Sequence, residues 1–348
     1  MAEKTKAAVI GCGSWGTALA HHLAVAGCDV VLSGNEPDVL KAVAEKHENA
    51  KYFPGEILHP ELKTSDDQLV AARGAQLVVF AVPSFAMRSC ASVIKRVLEK
   101  KACVVSVAKG LESASLKTMS QVLLEELPQG QPVAVLSGPS FALEVLRGLP
   151  TAVTVAAHTH DTARKAGKFF HYAYFRVYTS TDVVGVELGG AIKNVIAVAA
   201  GVVDGLGMGN NARAALITRG IVEMQRIILA CGGDARTVAG LSGLGDLLLT
   251  ATGDLSRNRR VGLGLGRGEK LSDIVSRLGQ VAEAVETTGK ALELARRHNI
   301  QAPIIEQIDA IIAGRATPGE AVKNLLSREQ RAENEDFVLD LLGKCWAE

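Results

Sequence analysis

Three groups of residues in this chain have types and spacings suited to chemistry on an anionic small molecule. The first is the loop of Gly11, Gly13 and Gly16 in "VIGCGSWGTALA", which follows an apolar run and opens a helical one. The first glycine permits a tight turn, the second lets backbone N–H groups approach a pyrophosphate, and the third lets strand and helix pack closely; the helix N-terminus adds its positive dipole end. A sharp turn alone would use the same glycines, so it is the place at the head of a βαβ unit that points to a bound dinucleotide. The second group is a pair of lysines. Lys109 in "VAKG" ends an apolar run, where ligands of an open parallel sheet bind, although a solvated loop lysine would also sit there. Lys193 in "GVELGGAIKN" stands among Gly189, Gly190, Ala191 and Val195. A lysine in such company meets an anion, sheds its proton or snorkels outward, and a lowered pKa would suit it to proton transfer at a substrate oxygen. Glu187 and Asn194 share one face of that helix and can flank it. The third group lies in "GDLLLTATGDLSRNRR" (245–260), where Asp246 leads an apolar run and Ser256, Arg257, Asn258 and Arg259 offer hydroxyl, guanidinium and amide donors to one phosphate. Arg260 is left to water.

The elements that must position these groups change character along the chain. Up to about residue 182, short β-branched runs (6–11, 28–33, 75–83, 102–110, 131–140, 151–157 and 175–180) alternate with amphipathic stretches. Such runs predict parallel strands covered by helices on both faces, a doubly wound Rossmann α/β domain. Ligands then lie beyond the strand ends, which adds "AVPS" (81–84) and "LSGPSFA", where Gly138 would let a ligand lie close and Ser140 begins a helix. The end of the second strand should choose the nicotinamide cofactor, and it reads Ser33, Gly34, Asn35, Glu36. Ser33 and Asn35 can hydrogen-bond either cofactor, and Glu36 can be a first-turn acid favoured by the helix dipole. With neither an acid at the strand end nor an arginine beside it, the reading is NAD(P), tilted towards NADP. After Asp182 the strand signal vanishes and helical spacing takes over, with glycines and alanines that allow close helix approach. The expected division is a nucleotide-binding domain over 1–182 and an all-α domain over 183–348.

Composition narrows the class. A chain of 348 residues suits two domains, and 48% hydrophobic with only 4% aromatic residues describes an aliphatic core. With 38 basic against 37 acidic residues, the near-neutral charge argues against coating nucleic acid or an anionic membrane. Six cysteines without a CxxC pair predict no zinc site and no disulfide framework, but reduced thiols in a cytoplasm. The N-terminus is unlike a secretory signal, and apolar stretches such as "VIAVAAGVV" fall short of a membrane span.

In order and combination, "GCGSWGTALA", "VAKGLE", "LSGPSFALEV", "ELGGAIKNVIAVAAGVVDGLGMGNNARAALITRG", "LSGLGDLLLTATGDLSRNRRVGLGLG" and "GQVAEAVETT" resemble the NAD(P)-dependent glycerol-3-phosphate dehydrogenases of bacterial type over nearly the full length. The resemblance implies a Rossmann domain followed by a helical one. It also implies reversible reduction of dihydroxyacetone phosphate to sn-glycerol 3-phosphate with NAD(P)H and no metal, supplying the backbone of phospholipids. It further implies that Ser14, Trp15, Asn35, Ala142, Val281 and Glu283 touch the cofactor, that Lys109 meets cofactor and substrate, and that Gly138 and Ser140 contact substrate. Lys193 corresponds to the proton donor and acceptor with Asp246 beside it, while Ser256, Arg257 and Asn258 hold the substrate, Arg257 also lying near the cofactor. Ser33 and Asn35 depart from the aromatic and basic residues common there, which softens the case for NADP; Ser140 replaces the commoner Thr. Two rivals share features: hydroxyacid or phosphogluconate dehydrogenases, against which "SRNRR" and "SGLGDLLLT" speak, and a non-catalytic NAD(P) sensor, against which Lys109, Lys193 and Asp246 together speak. A homodimer through the helical half stays open.

Overall fold

The computed structural model describes residues 4–278, 283–330 and 333. Eight strands, β1 (Lys6–Ile10), β2 (Asp29–Ser33), β3 (Lys63–Ser65), β4 (Leu77–Phe80), β5 (Cys103–Ser106), β6 (Val133–Ser137), β7 (Thr151–Ala156) and β8 (Phe175–Ser180), form one sheet. Their order is β3-β2-β1-β4-β5-β6-β7-β8. The order reverses between β1 and β4, whose paired ends Ile10 and Phe80 open the crevice where an open α/β sheet binds ligands. Alternate residues of the central strands enter separate cores: Ala7, Val9, Leu77 and Val79 on one face, Ala8, Ile10, Val78 and Phe80 on the other. Burial on both faces is why these strands read as unbroken apolar runs.

Two features depart from the sequence expectation. The edge strand β3, "KTS", has no apolar run to announce it and pairs with β2 over three residues. β7 runs antiparallel to β6, with Val135 opposite Ala156, so the sheet is not wholly parallel. An apolar run reports burial and carries no direction.

Beyond β8 every described element is helical, centred on the helix Val183–Gly205. Twenty-three residues long, it exceeds the short apolar runs expected and has the length and composition to cross a membrane, yet 94% of its most apolar window is buried inside the protein. It crosses the helix Arg257–Gly266 backbone to backbone. A Cβ on Gly201 or Gly205 would strike the carbonyls of Arg259 and Leu263, and one on Gly262 or Gly266 those of Val198 and Val202. This contact sets the "SRNRR" end of one helix at a fixed distance from Lys193 on the other.

Candidate active site

The glycine loop leaves β1 at Gly11, whose φ of 117° requires glycine, and whose amide donates to the Ser33 carbonyl at 2.7 Å. A Cβ on Gly11 would strike the Ala81 carbonyl, and one on Gly16 the carbonyl of Gly11. At Gly13 a Cβ would meet nothing within 4 Å. Two glycines are therefore demanded by packing, while the middle one faces open space, as a backbone that must approach a pyrophosphate does. Gly11, Gly13, Ser14, Trp15, Asn35, Lys109, Arg257 and Glu283 line one cleft of about 630 Å³, and Gly16 lies beneath its floor. The residues fit a dinucleotide. Ala142 is placed differently: it packs with Trp15 against the sheet's core. Val281 lies outside the described residues.

Beyond the ends of β5 and β6 two lysines converge on one carboxylate. Lys109 Nζ donates to Asp246 Oδ2 at 2.6 Å and to the Gly138 carbonyl at 3.2 Å; Lys193 Nζ donates to Asp246 Oδ1 at 3.0 Å and to Thr250 Oγ1 at 2.6 Å. Each ammonium has three N–H donors, so one on each is left for a ligand. Asp246 is delivered by a wide π-helical turn, Leu241–Gly245, at the head of the helix Asp246–Thr252, the kind of distortion that recurs at functional sites. Lys193 is 5% exposed, so it does not snorkel to water. Burial lowers its pKa to about 8, with Lys109 acting in the same direction and Asp246 opposing them. For Asp246, burial works to raise the pKa, but the two ammonium groups outweigh it and hold the carboxyl below its usual range.

Several expected roles are corrected by this geometry. Glu187 does not flank Lys193: its carboxylate accepts from the amide (2.8 Å) and hydroxyl of Ser120, joining the helical half to the nucleotide half. The Asn194 side chain bridges to Glu283 (3.3 Å) and Asn258 (2.8 Å). Gly138 is glycine for a different reason from ligand approach: at φ 147° its Cβ would press on Val153 at 3.0 Å. Its carbonyl also accepts from the Ser140 hydroxyl at 2.9 Å. Arg259 leaves the row of phosphate donors, since its guanidinium is held by Asp204 at 2.8 Å and Asp254 at 3.0 Å. Ser256 caps the helix by accepting from the Arg259 amide at 3.2 Å, and the side-chain oxygen of Asn258 accepts from the Ala284 amide at 3.3 Å. Arg257, at the first turn of that helix, reaches the cleft. Arg260 is exposed, with Nε on the Asp254 carbonyl at 2.7 Å. Ser33 is 1% exposed, unlike the neighbouring Asn35.

Thr250 lies within the 245–260 stretch but is not among the residues singled out there, although it stands one helical turn after Asp246 and so must share its face. Family models of NAD-dependent glycerol-3-phosphate dehydrogenase match the chain twice, the N-terminal model over residues 6–163 and the C-terminal model over 182–323. The chain belongs to the NAD-dependent glycerol-3-phosphate dehydrogenase family. It is 50% identical to the glycerol-3-phosphate dehydrogenase [NAD(P)+] of Syntrophotalea carbinolica, over 93% of this chain and 98% of that one. It is 48% identical to that of Citrifermentans bemidjiense, over 96% and 99%. Among solved structures, glycerol-3-phosphate dehydrogenase from Coxiella burnetii superposes with a TM-score of 0.89 at 40% identity, covering 93% of this chain and 99% of that one. The shared architecture is the mostly parallel Rossmann sheet followed by the helical half, and the cofactor class is NAD(P).

Proposed function

We propose that this chain reversibly reduces dihydroxyacetone phosphate to sn-glycerol 3-phosphate with NAD(P)H, and so feeds glycerol phosphate to phospholipid synthesis. The observation that carries the reading is the buried Lys109–Asp246–Lys193 cluster beyond the strand ends, beside a cleft shaped for a dinucleotide. When bound, the nicotinamide supplies the hydride that adds to the carbonyl carbon. Negative charge then grows on the carbonyl oxygen, where the remaining N–H of Lys109 polarises it and Lys193 delivers a proton. Asp246 keeps two ammonium groups together in a shielded site, and Thr250 fixes the direction of the Lys193 ammonium. The substrate phosphate falls to Arg257 at the start of its helix, where the positive end of the helix dipole adds to the guanidinium. Ser256 and Asn258 shape that helix end, and Gly138, whose carbonyl accepts from Lys109, and Ser140 meet the substrate in this reading.

In this reading the nucleotide half ends at residue 182, the helical half begins at 183, the enzyme works in the cytoplasm, and the helical half carries any homodimer contact. Initial rates with NADH and NADPH against dihydroxyacetone phosphate test it through loss of reduced-nicotinamide absorbance. Turnover of a hydroxyacid or phosphogluconate substrate with none of dihydroxyacetone phosphate would overturn it.

A further inference from the structure

A second charged cluster borders the cleft and has no part in the steps above. Glu36 follows β2 and lines the cleft with Asn35. Although it stands at the N-cap of the next helix, its side chain makes no capping bond. Instead Oε1 accepts from the Tyr52 hydroxyl at 2.7 Å, and Oε2 is in contact with the Lys51 ammonium. The segment that supplies these partners is fastened to the glycine loop itself. Asn49, fully buried, donates to Thr17 Oγ1 at 2.8 Å and to the Cys12 carbonyl at 3.3 Å. The amides of Tyr52 and Phe53 turn back onto the Asn49 carbonyl at 3.1 and 2.8 Å, and Phe53 is buried beneath them. Lys51 and Tyr52 thus ride on a turn whose position is set by the same backbone that would receive the pyrophosphate.

In a dinucleotide-binding sheet the region beyond the second strand meets the adenosine ribose; a carboxylate there suits the free 2′-hydroxyl of NAD, and a cation suits the 2′-phosphate of NADP. Glu36 comes about twenty residues after Gly16, the usual spacing for such a carboxylate. This chain holds one group of each sign there, paired with each other. Ser33 is buried and Asn35 is uncharged, while the cations lining the cleft itself, Lys109 and Arg257, come from the loop after β5 and from the helix Arg257–Gly266, away from the end of β2.

Resting on the dinucleotide reading, we infer that Lys51 reads the 2′-phosphate of NADP and that Glu36 holds it in reserve. With NAD, Glu36 accepts from the ribose hydroxyl while Lys51 stays on its other oxygen. With NADP, the Lys51 ammonium turns on its flexible stem to the phosphate and screens it from Glu36, whose carboxylate Tyr52 holds back. The Lys51 side chain is 57% exposed, which leaves it free to make that move. One pair of side chains thereby admits both cofactors.

Calorimetric titration of the full-length protein with ADP-ribose and with 2′-phospho-ADP-ribose tests this without turnover. Lys51→Met should weaken the phosphorylated ligand about tenfold or more, the loss of one charge-assisted contact, and leave ADP-ribose within about twofold. Glu36→Gln should shift the two ligands in opposite directions, tightening the phosphorylated one and weakening ADP-ribose. Equal losses for both ligands in Lys51→Met, or no change in either, would overturn the assignment. Failure of the native protein to bind either ligand would instead overturn the dinucleotide reading on which it rests.

Discussion

Replacing Asp246 by asparagine keeps the shape of the Lys109–Asp246–Lys193 cluster and removes its negative charge. In the native protein that charge lies 3.0 Å from Lys193 Nζ and 2.6 Å from Lys109 Nζ. At 3.0 Å the attraction on Lys193 is about 5.5 kcal/mol for an effective dielectric of 20 and about 1.4 kcal/mol for that of water. Because one pKa unit is about 1.4 kcal/mol, the Lys193 pKa should fall from about 8 by roughly one to four units. The direction matters for the reaction. Reduction of the ketone needs the protonated lysine, so the native kcat should fall as pH rises through about 8, while oxidation of the alcohol should rise across the same interval. In Asp246→Asn the descending limb should move to pH 7 or below. At pH 7.5 the protonated fraction of Lys193 then drops from about three quarters to about one quarter or far less. Lowering the pH should recover part of the lost rate, which a merely misfolded variant would not do. Breaking a buried ion pair also costs roughly 3–5 kcal/mol, so thermal melts must establish the pH range in which the variant is folded. The assay is kcat for dihydroxyacetone phosphate against pH, followed by the absorbance of the reduced nicotinamide. A folded Asp246→Asn whose limb stays near pH 8 would refute the assignment of Lys193 as the proton donor tuned by Asp246.

Arg257→Ala should raise KM for dihydroxyacetone phosphate by about ten- to a hundredfold, and lysine at that position should restore only part of it; equal losses with unphosphorylated dihydroxyacetone would reassign the arginine to the cofactor or the fold. Arg259→Ala should lower Tm through its lost pairing with Asp204 while shifting KM little, and a KM rise matching that of Arg257→Ala would return it to the phosphate site. Gly13→Ala should leave Tm near native and weaken ADP-ribose binding, whereas Gly16→Ala, which drives a Cβ into the Gly11 carbonyl, should lose several degrees of Tm; matching melts for the two would show that the loop does not divide its glycines between packing and ligand. Ser33→Arg should lower Tm, because a guanidinium at a 1% exposed position in the cleft's wall must displace its neighbours; a variant as stable as the native protein would contradict this.

The sequence disclosed those parts of the fold whose determinants lie within a few residues of one another. Gly11, Gly13 and Gly16 announce their turn because strand, loop and helix are contiguous, and each glycine's reason follows from its spacing. Lys193 was legible as unusual because its neighbours along one helix are almost all small or apolar. What joins it to Lys109 is not legible in the residues themselves, since Asp246, which binds both, lies 137 residues from one and 53 from the other; only the family resemblance sets Asp246 beside Lys193. The same limit explains Glu187, whose helical spacing puts it on a face with Asn194, whereas its partner Ser120 comes from the other half of the molecule. In "SRNRR" the sequence offered four donors of similar chemistry, and only tertiary contacts divide them. Asp204, on the central helix, claims Arg259, the backbone of residue 284 claims the Asn258 oxygen, and Ser256 spends a lone pair on its own helix. Arg257 is the guanidinium of this row that lines the cleft. A cluster of like residues therefore identifies the chemistry a segment can offer, but which of its side chains faces the cleft is decided by tertiary contacts that lie far off in the sequence.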